Sequence, residues 1–178
     1  AVRGDVYAFV GAKGGVGTTT VAVNVASALA KKGGSESALV IDLNTVCGDA
    51  AVFLGLEPRF SVSDALANVQ RLDGTYFGGL VVRSKFGLDL LGASGRMVVT
   101  SFDAGRMRTL LEFVSVHYRY TVLDVPRSDA AALDALEGAT KIVLVVNQEL
   151  ACVRNASRMA STLRARYGQA RLGLVLSR

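Results

Sequence analysis

The sequence predicts an α/β fold: a doubly wound, mainly parallel sheet with helices on both faces. Short β-branched and apolar runs alternate with helical segments from one end of the chain to the other. The runs at 37–43, 120–126 and 141–147 are almost continuously apolar, as strands buried on both faces are. A glycine-rich loop lies directly between the first strand and the first helix. Alternation of this kind produces βαβ units, which make neighbouring strands parallel and cover the sheet on both sides.

The individual elements follow from local composition and periodicity. We predict strands at 5–10, 37–43, 87–93, 120–126, 141–147 and 171–177, and helices at 18–32, 61–69, 101–118, 129–138 and 150–167. The strand at 87–93 alternates only weakly, whereas the segment 101–118 is clearly amphipathic. Ser61 or Ser63 is available to cap the second helix.

The last predicted helix has two distinct sides. We place Val153, Ala156, Ala160, Leu163 and Tyr167 on the buried side, because they recur at spacings of three and four. We place Arg154, Arg158 and Arg166 on the exposed side.

Composition excludes several classes of protein. The chain has 178 residues, of which 51% are hydrophobic and 20% charged, which is typical of one folded domain and not of a disordered chain. No apolar run is long enough to span a membrane and no signal peptide is recognisable, so we expect a cytoplasmic protein. Cys47 and Cys152 match no metal-binding spacing and are interpreted as reduced thiols.

The net charge of +5 is concentrated near the end of the sequence. Six of the 20 basic residues, and none of the 15 acidic ones, lie between Arg154 and Arg178. This segment could contact nucleic acid or an acidic membrane. It could equally be a solvated helix face.

The stretch GAKGGVGTTT, residues 11–20, predicts a phosphate-binding loop. Glycines in a strand-to-helix turn let successive backbone N–H groups converge on phosphate oxygens at a helix N-terminus. We therefore assign nucleotide binding to Gly14, Gly15, Val16, Gly17, Thr18, Thr19 and Thr20. The common form of such loops has a lysine directly after the last glycine. Thr18 stands there in this chain, and a lysine occurs earlier, at Lys13.

Two aspartates follow buried strands, at Asp42 in VIDL and Asp124 in TVLDVP. Strand ends of a doubly wound sheet share the edge where ligands bind, so both carboxylates should lie near the loop. We predict a Mg²⁺ site formed by Thr19, Asp42 and Asp124. The alternative for each aspartate is a helix cap or turn residue.

These residues together resemble a known family. KGGVGTTT, with Lys13, resembles the deviant Walker A motif of ParA/MinD P-loop ATPases. The form GAKGGVGTTT is similar to the TadZ/CpaE branch, as are DLNTVCGDAAVFLGLEP (42–58), VLDVPR (122–127) and ELACVRNASRM (149–159). The resemblance implies ATP and Mg²⁺ as cofactors and an ATP-dependent homodimer in which Lys13 reaches the partner's phosphates. It also implies that the protein is recruited to the cell pole or the inner membrane face, where it localises Flp-type (Tad) pilus assembly with pilus or polar-hub proteins.

Departures from the family pattern predict at most a weak ATPase. Thr18 removes one charge contact, and Asn44 replaces the second acid of the family's D-x-D, which aligns the attacking water. We assign catalytic roles to Lys13, Asp42 and Asn44. Asp49 is either a replacement acid or an ordinary turn residue.

Other functions remain open from the sequence. A cycling MinD/ParA-type ATPase for septum, chromosome or plasmid positioning is the main alternative, and a non-hydrolysing scaffold is another. An iron–sulfur reductase does not suit the two cysteines, and small-molecule kinases would keep the second lysine. We expect residues 1–178 to form one P-loop ATPase-like domain, truncated at its C-terminus and without the receiver-like domain that relatives of this branch carry upstream.

Overall fold

The computed structural model describes residues 3–32, 37–44, 48–93 and 102–177, in which a seven-stranded sheet is flanked by helices. The strands are β1 (Asp5–Gly11), β2 (Ala38–Asp42), β3 (Val82–Arg83), β4 (Leu88–Leu91), β5 (Tyr120–Val125), β6 (Lys141–Val146) and β7 (Leu172–Leu176). The helices are α1 (Thr18–Lys32), α2 (Ala50–Leu54), α3 (Val62–Ala67), α4 (Gly74–Leu80), α5 (Ala104–His117), α6 (Ala130–Leu133) and α7 (Leu150–Tyr167). Short 3₁₀ turns occupy Val69–Arg71, Asp134–Gly138 and Gln169–Arg171.

The strand order confirms the predicted doubly wound architecture. Across the sheet it is β3-β4-β2-β5-β1-β6-β7, and every pairing is parallel except that of β3 with β4. The crossover from β1 to β2 runs one way along the sheet, and the crossover from β5 to β6 runs the other way. Because such crossovers are right-handed, their helices lie on opposite faces. The carboxyl ends of the central strands therefore meet at one edge.

The core explains why the strands are so apolar. All residues of β2 and β4 are buried, as are five of the six residues of β5. Leu88–Leu91 is therefore a buried strand despite its weak alternation, since both of its faces are covered. No helix within the described residues combines the length and apolarity that a membrane crossing requires.

Local prediction was most accurate for the two long helices. α1 and α7 begin and end where the sequence predicts. The segment predicted as 101–118 is helical over Ala104–His117, and residue 101 lies outside the described part of the chain. The predicted helix 129–138 is a turn of α-helix followed by a 3₁₀ turn. The short elements α2, α4 and β3 were not predicted.

One residue on the buried face of α7 was predicted wrongly. Val153 is 51% exposed, whereas Cys152 is fully buried with Ala156, Ala160 and Leu163. The backbone N–H of Asn147 donates to Cys152 Sγ at 3.3 Å, which ties the start of α7 to the end of β6. Cys152 is a free thiol, and Cys47 lies outside the described residues. The arginines at 154, 158 and 166 are exposed, as predicted.

Candidate functional site

The glycine loop connects β1 to α1 at the carboxyl edge of the sheet. Gly15 and Gly17 have φ of 79° and 84°, a left-handed conformation that favours glycine. A side chain at Gly14 or Gly15 would meet nothing within 4 Å, so their backbone is open to a ligand. A side chain at Gly11 would instead collide with the Thr18 hydroxyl. The loop therefore has the open backbone and helix start that phosphate binding requires.

A cavity of about 490 Å³ lies against this loop. It is lined by loop residues from Gly11 to Thr20, by the segment from Asp124 to Ser128 after β5, and by Asn44, Asp49 and Phe53. Among the predicted binding residues, Gly14, Gly15, Gly17, Thr18, Thr19 and Thr20 line it, and the buried Val16 does not.

The predicted metal ligands are close together but differ in their access to the cavity. Asp42 and Asp124 are in register on β2 and β5, and both are buried. The Thr19 hydroxyl donates to Asp124 Oδ2 at 2.6 Å, and both residues line the cavity. Asp42 does not line it in the described part of the chain. Its carboxylate accepts the backbone N–H groups of Asn44 at 3.0 Å and Ala50 at 3.2 Å.

Asn44 joins the two carboxylates. Its Nδ2 donates to Asp42 Oδ1 at 2.8 Å and to Asp124 Oδ2 at 3.1 Å. An aspartate at this position would have no such donor and would add a third negative charge. The amide therefore stabilises a pair of buried carboxylates that would otherwise repel each other.

Burial dominates the ionisation of both aspartates. Removal from water raises the pKa of Asp42 above its usual value, although hydrogen bonds from Asn44 and Ala50 oppose the shift. Burial likewise raises the pKa of Asp124 to about 6, and the negative charge of Asp42 adds to the shift while the Thr19 hydrogen bond opposes it. Asp124 is therefore mostly ionised at neutral pH.

The donor chemistry of the site fits Mg²⁺. Thr19 and Asp124 present adjacent oxygen atoms at the start of α1, and Mg²⁺ prefers oxygen ligands. The described residues contain no cluster of three or more histidine, cysteine or acidic side chains that could hold a metal. A magnesium ion here would therefore take further oxygen ligands from a nucleotide and from water, as it does in phosphate-binding sites.

Lys13 points toward the start of α7. Its Nζ forms an ion pair with Glu149, which immediately precedes that helix. Asn147 Nδ2 donates to Glu149 Oε1 at 2.9 Å, and the hydrogen bond from Lys13 is the main reason that the pKa of Glu149 is lowered. The ammonium group is thus held by a residue of the same chain, 136 positions away.

Sequence reasoning did not assign functions to three residues at this edge: Phe53, Arg127 and Glu149. Arg127 and Glu149 occur in the segments VLDVPR and ELACVRNASRM, but nothing in their spacing indicates which side chains reach the loop. Phe53 is 56% exposed on α2 and lines the cavity. Its exposure and its place beside the loop are properties of the folded chain, so no signal in the sequence singles it out.

Comparison with known proteins supports this interpretation. The family described as "AAA domain" matches residues 4–171. The chain belongs to this family, that of the ParA/MinD-type P-loop ATPases. The septum site-determining protein MinD of Synechocystis is 30% identical to this chain over 158 residues. The match covers 86% of this chain and 57% of that protein, so the chain spans little more than half the length of this relative.

Solved structures of this family agree with the fold of the chain. A ParA family ATPase from Chlorobium tepidum matches 99% of this chain and 74% of its own with a TM-score of 0.87 at 23% identity. The MinC:MinD complex of Aquifex aeolicus matches 97% of this chain and 68% of its own with a TM-score of 0.79 at 28% identity. MinD of Pyrococcus horikoshii, solved with Mg-ADP, matches 96% of this chain and 67% of its own with a TM-score of 0.77 at 20% identity.

Proposed function

We propose that this protein binds ATP·Mg²⁺ and acts as a positioning protein of the TadZ/CpaE type, using a nucleotide-dependent dimer to localise Flp/Tad pilus assembly. The observation that carries the nucleotide-binding part of the proposal is the combination of an open phosphate loop with Thr18 and an amide, Asn44, across the two strand-end aspartates. This combination favours binding over rapid hydrolysis.

Nucleotide binding would use groups already in place. The backbone N–H groups from Gly14 to Thr19 donate to phosphate oxygens at the start of α1. Thr19 and Asp124 hold Mg²⁺, which when bound offsets the negative charge of the phosphates. The Pyrococcus horikoshii relative, solved with Mg-ADP, supports this choice of cofactors.

Hydrolysis would be slow for two physical reasons. Thr18 supplies no positive charge where charge develops in the transition state, and the loss of one such contact typically costs a factor of about 10² or more. Asn44 can accept a hydrogen bond from water through its Oδ1, but it cannot act as an anion. Its Nδ2 is already bonded to Asp42 and Asp124.

The pilus role rests on the four segments that resemble the TadZ/CpaE branch, which include Thr18 and Arg127. The main alternative is a MinD/ParA-type ATPase that positions septa, chromosomes or plasmids. The names of the Synechocystis and Aquifex aeolicus relatives favour this alternative. The exposed arginines of α7 would suit an acidic membrane or nucleic acid in either case.

Two measurements test the biochemical part of the proposal. Calorimetry should detect ATP binding in the presence of Mg²⁺, and phosphate release should be far below about 1 s⁻¹, the low end of ordinary enzyme turnover. No binding at millimolar ATP would support the scaffold alternative. Turnover at or above that rate would support a cycling ATPase.

Cell biology tests the positioning role. In the source organism, a fluorescent fusion should collect at the cell pole, and deletion of the gene should remove surface pili. Misplaced septa or lost plasmids with normal pili would contradict the pilus role and support the MinD/ParA alternative.

A further inference from the structure

The cavity needs a positive charge that its loop does not supply. Thr18 is neutral at the position where common phosphate loops have lysine. Lys13 lines the cavity, but its ammonium is paired with Glu149. Asp49 and Asp124 add negative charge to the cavity wall. A bound triphosphate would therefore be poorly balanced by the loop side chains alone.

Arg127 is the other cation on the cavity wall. It is exposed, and it forms no hydrogen bond or ion pair with any residue in the described part of the chain. Its guanidinium is thus free to bind a ligand. By contrast, Arg171 donates to three backbone carbonyl groups and Arg83 is bound to Asp89.

The sheet explains why Arg127 reaches this site. It follows β5, which pairs directly with β1, and Val125 is in register with Val10 just before the loop. Pro126 then restricts the backbone as the chain leaves the strand. The next helix begins only after Asp129, whose carboxylate accepts the N–H groups of Ala131 and Ala132. Arg127 is therefore held in a short segment beside the phosphate loop.

We propose that Arg127 supplies, within the same subunit, the phosphate-binding cation that Thr18 lacks. A guanidinium can donate two parallel hydrogen bonds to phosphate oxygens, which makes arginine well suited to this task. This role rests on the proposed ATP binding and is separate from any contact that Lys13 makes across a dimer. In this role the guanidinium of Arg127 binds the β- and γ-phosphates of a nucleoside triphosphate.

Calorimetry with Mg²⁺ and ATP, ADP or AMP tests the assignment. Arg127→Ala should weaken ATP binding by about 10- to 100-fold, the usual value of hydrogen bonds to a charged group, and AMP binding by much less. Arg127→Lys should retain part of the affinity. Arg127→Ala combined with Thr18→Lys should regain most of it, because the lysine returns a cation to the start of α1. Arg158→Ala is the matched control, since it removes an exposed arginine on α7 outside the cavity wall.

The outcomes separate this role from the proposed function. A parent protein that binds no ATP·Mg²⁺ would overturn both. A parent that binds while Arg127→Ala binds equally well would overturn the role of Arg127 alone. Equal losses in Arg127→Ala and Arg158→Ala would also overturn it, because they would indicate only a long-range effect of net charge. If Arg127→Ala has the melting temperature of the parent but loses ATP and AMP affinity equally, the role of Arg127 is also overturned, because AMP has no β- or γ-phosphate.

Discussion

At the scale of single residues, Asn44 has the greatest effect on the character of the site. Two buried carboxylates, Asp42 and Asp124, lie side by side on neighbouring strands, and one amide group donates to both. Buried polar groups are stable only when they have hydrogen-bond partners. Asn44 therefore stabilises the site without a cation, in addition to any effect it has on an attacking water.

Replacing this amide should couple stability to magnesium. Asn44→Asp loses both donated hydrogen bonds and adds a negative charge, so without metal we expect the free energy of unfolding to fall by about 1–3 kcal/mol. Mg²⁺ should reverse most of this loss, and phosphate release with ATP·Mg²⁺ should rise. Thermal melting in EDTA and in Mg²⁺, together with a phosphate-release assay, measures these effects.

The control for this change is Asn24→Asp, the same substitution at an exposed position of α1. It loses only an exposed hydrogen bond to the Thr20 carbonyl, so its melting temperature should change little and by the same amount in both buffers. If Asn44→Asp is as stable as the parent in EDTA, the bridging role of the amide is wrong.

The ionisation of Asp124 predicts a dependence of stability on pH. Its pKa is raised to about 6 in the folded state, above the ordinary value of 3.8 that the unfolded chain would have. On acidification the folded state takes up a proton before the unfolded state does, so protonation stabilises the fold. Between about pH 7.5 and about pH 5.5, this group should add about 1 kcal/mol to the free energy of unfolding. The raised pKa of Asp42 acts in the same direction.

Urea denaturation in EDTA at the two pH values measures this gain. Asp124→Asn does not ionise, and its stability should change less between the two values than that of the parent. An equal change in both proteins would show that Asp124 does not titrate in this range.

At the scale of secondary structure, the short helix α6 depends on caps at both ends. Asp129 accepts two backbone N–H groups at its start, at 2.9 and 3.1 Å. At the far end, where the helix continues as a 3₁₀ turn, Arg171 donates to the carbonyls of Leu136 and Glu137, each at 2.9 Å, and to that of Ala139. Helix ends leave such groups without intrahelical partners. Arg171 supplies the missing donor for these carbonyl groups, although it lies more than 30 residues away in the chain.

Removal of the second cap should destabilise the protein. Arg171→Ala leaves three carbonyl groups without their donor, so we expect a loss of about 1–3 kcal/mol in the free energy of unfolding. Arg171→Lys should retain part of the stability, since one nitrogen, Nη2, donates to all three carbonyl groups and an ammonium also has three N–H donors. Arg154→Ala, which removes an exposed arginine of α7, should change stability little. Chemical denaturation compares the three variants, and equal stability of Arg171→Ala and the parent would contradict the capping role.

At the scale of the whole molecule, the topology assembles the site from distant segments. β1 lies between β5 and β6, so the loop, the segment after Asp124 and the start of α7 all meet at one edge. Two large apolar residues are exposed to solvent at that edge: Phe53 is 56% exposed and Leu150 is 86% exposed. A dimer formed across this edge, as proposed above, would cover both side chains.

The ion pair of Lys13 predicts how the dimer responds to mutation. If Lys13 binds the phosphates of a partner subunit, Lys13→Ala should abolish dimerisation with a non-hydrolysable ATP analogue while leaving the fold intact. Glu149→Gln should raise the dimer fraction, because it releases the ammonium from its partner in the same chain. Light scattering measures both. Lys32→Ala, at the exposed end of α1, is the control. Dimerisation of Lys13→Ala as readily as the parent would exclude the cross-subunit role.

The sequence by itself determined the fold class, the two long helices, the buried strands and the position of the phosphate loop. These features depend on local periodicity, on glycine placement and on the rule that parallel strand ends share an edge. The same rule placed Asp42 beside Asp124 before any contact was known.

Only the tertiary structure decided how the side chains at that edge are used. Lys13 pairs with Glu149 across 136 positions, and Asn44 directs its amide at carboxylates on two strands. The burial of Cys152 in place of Val153 depends on the packing of α7 against the sheet. Periodicity identifies the side of a helix or strand that is buried, but partner choice depends on distances between elements that are far apart in the chain. Those distances exist only once the sheet has assembled.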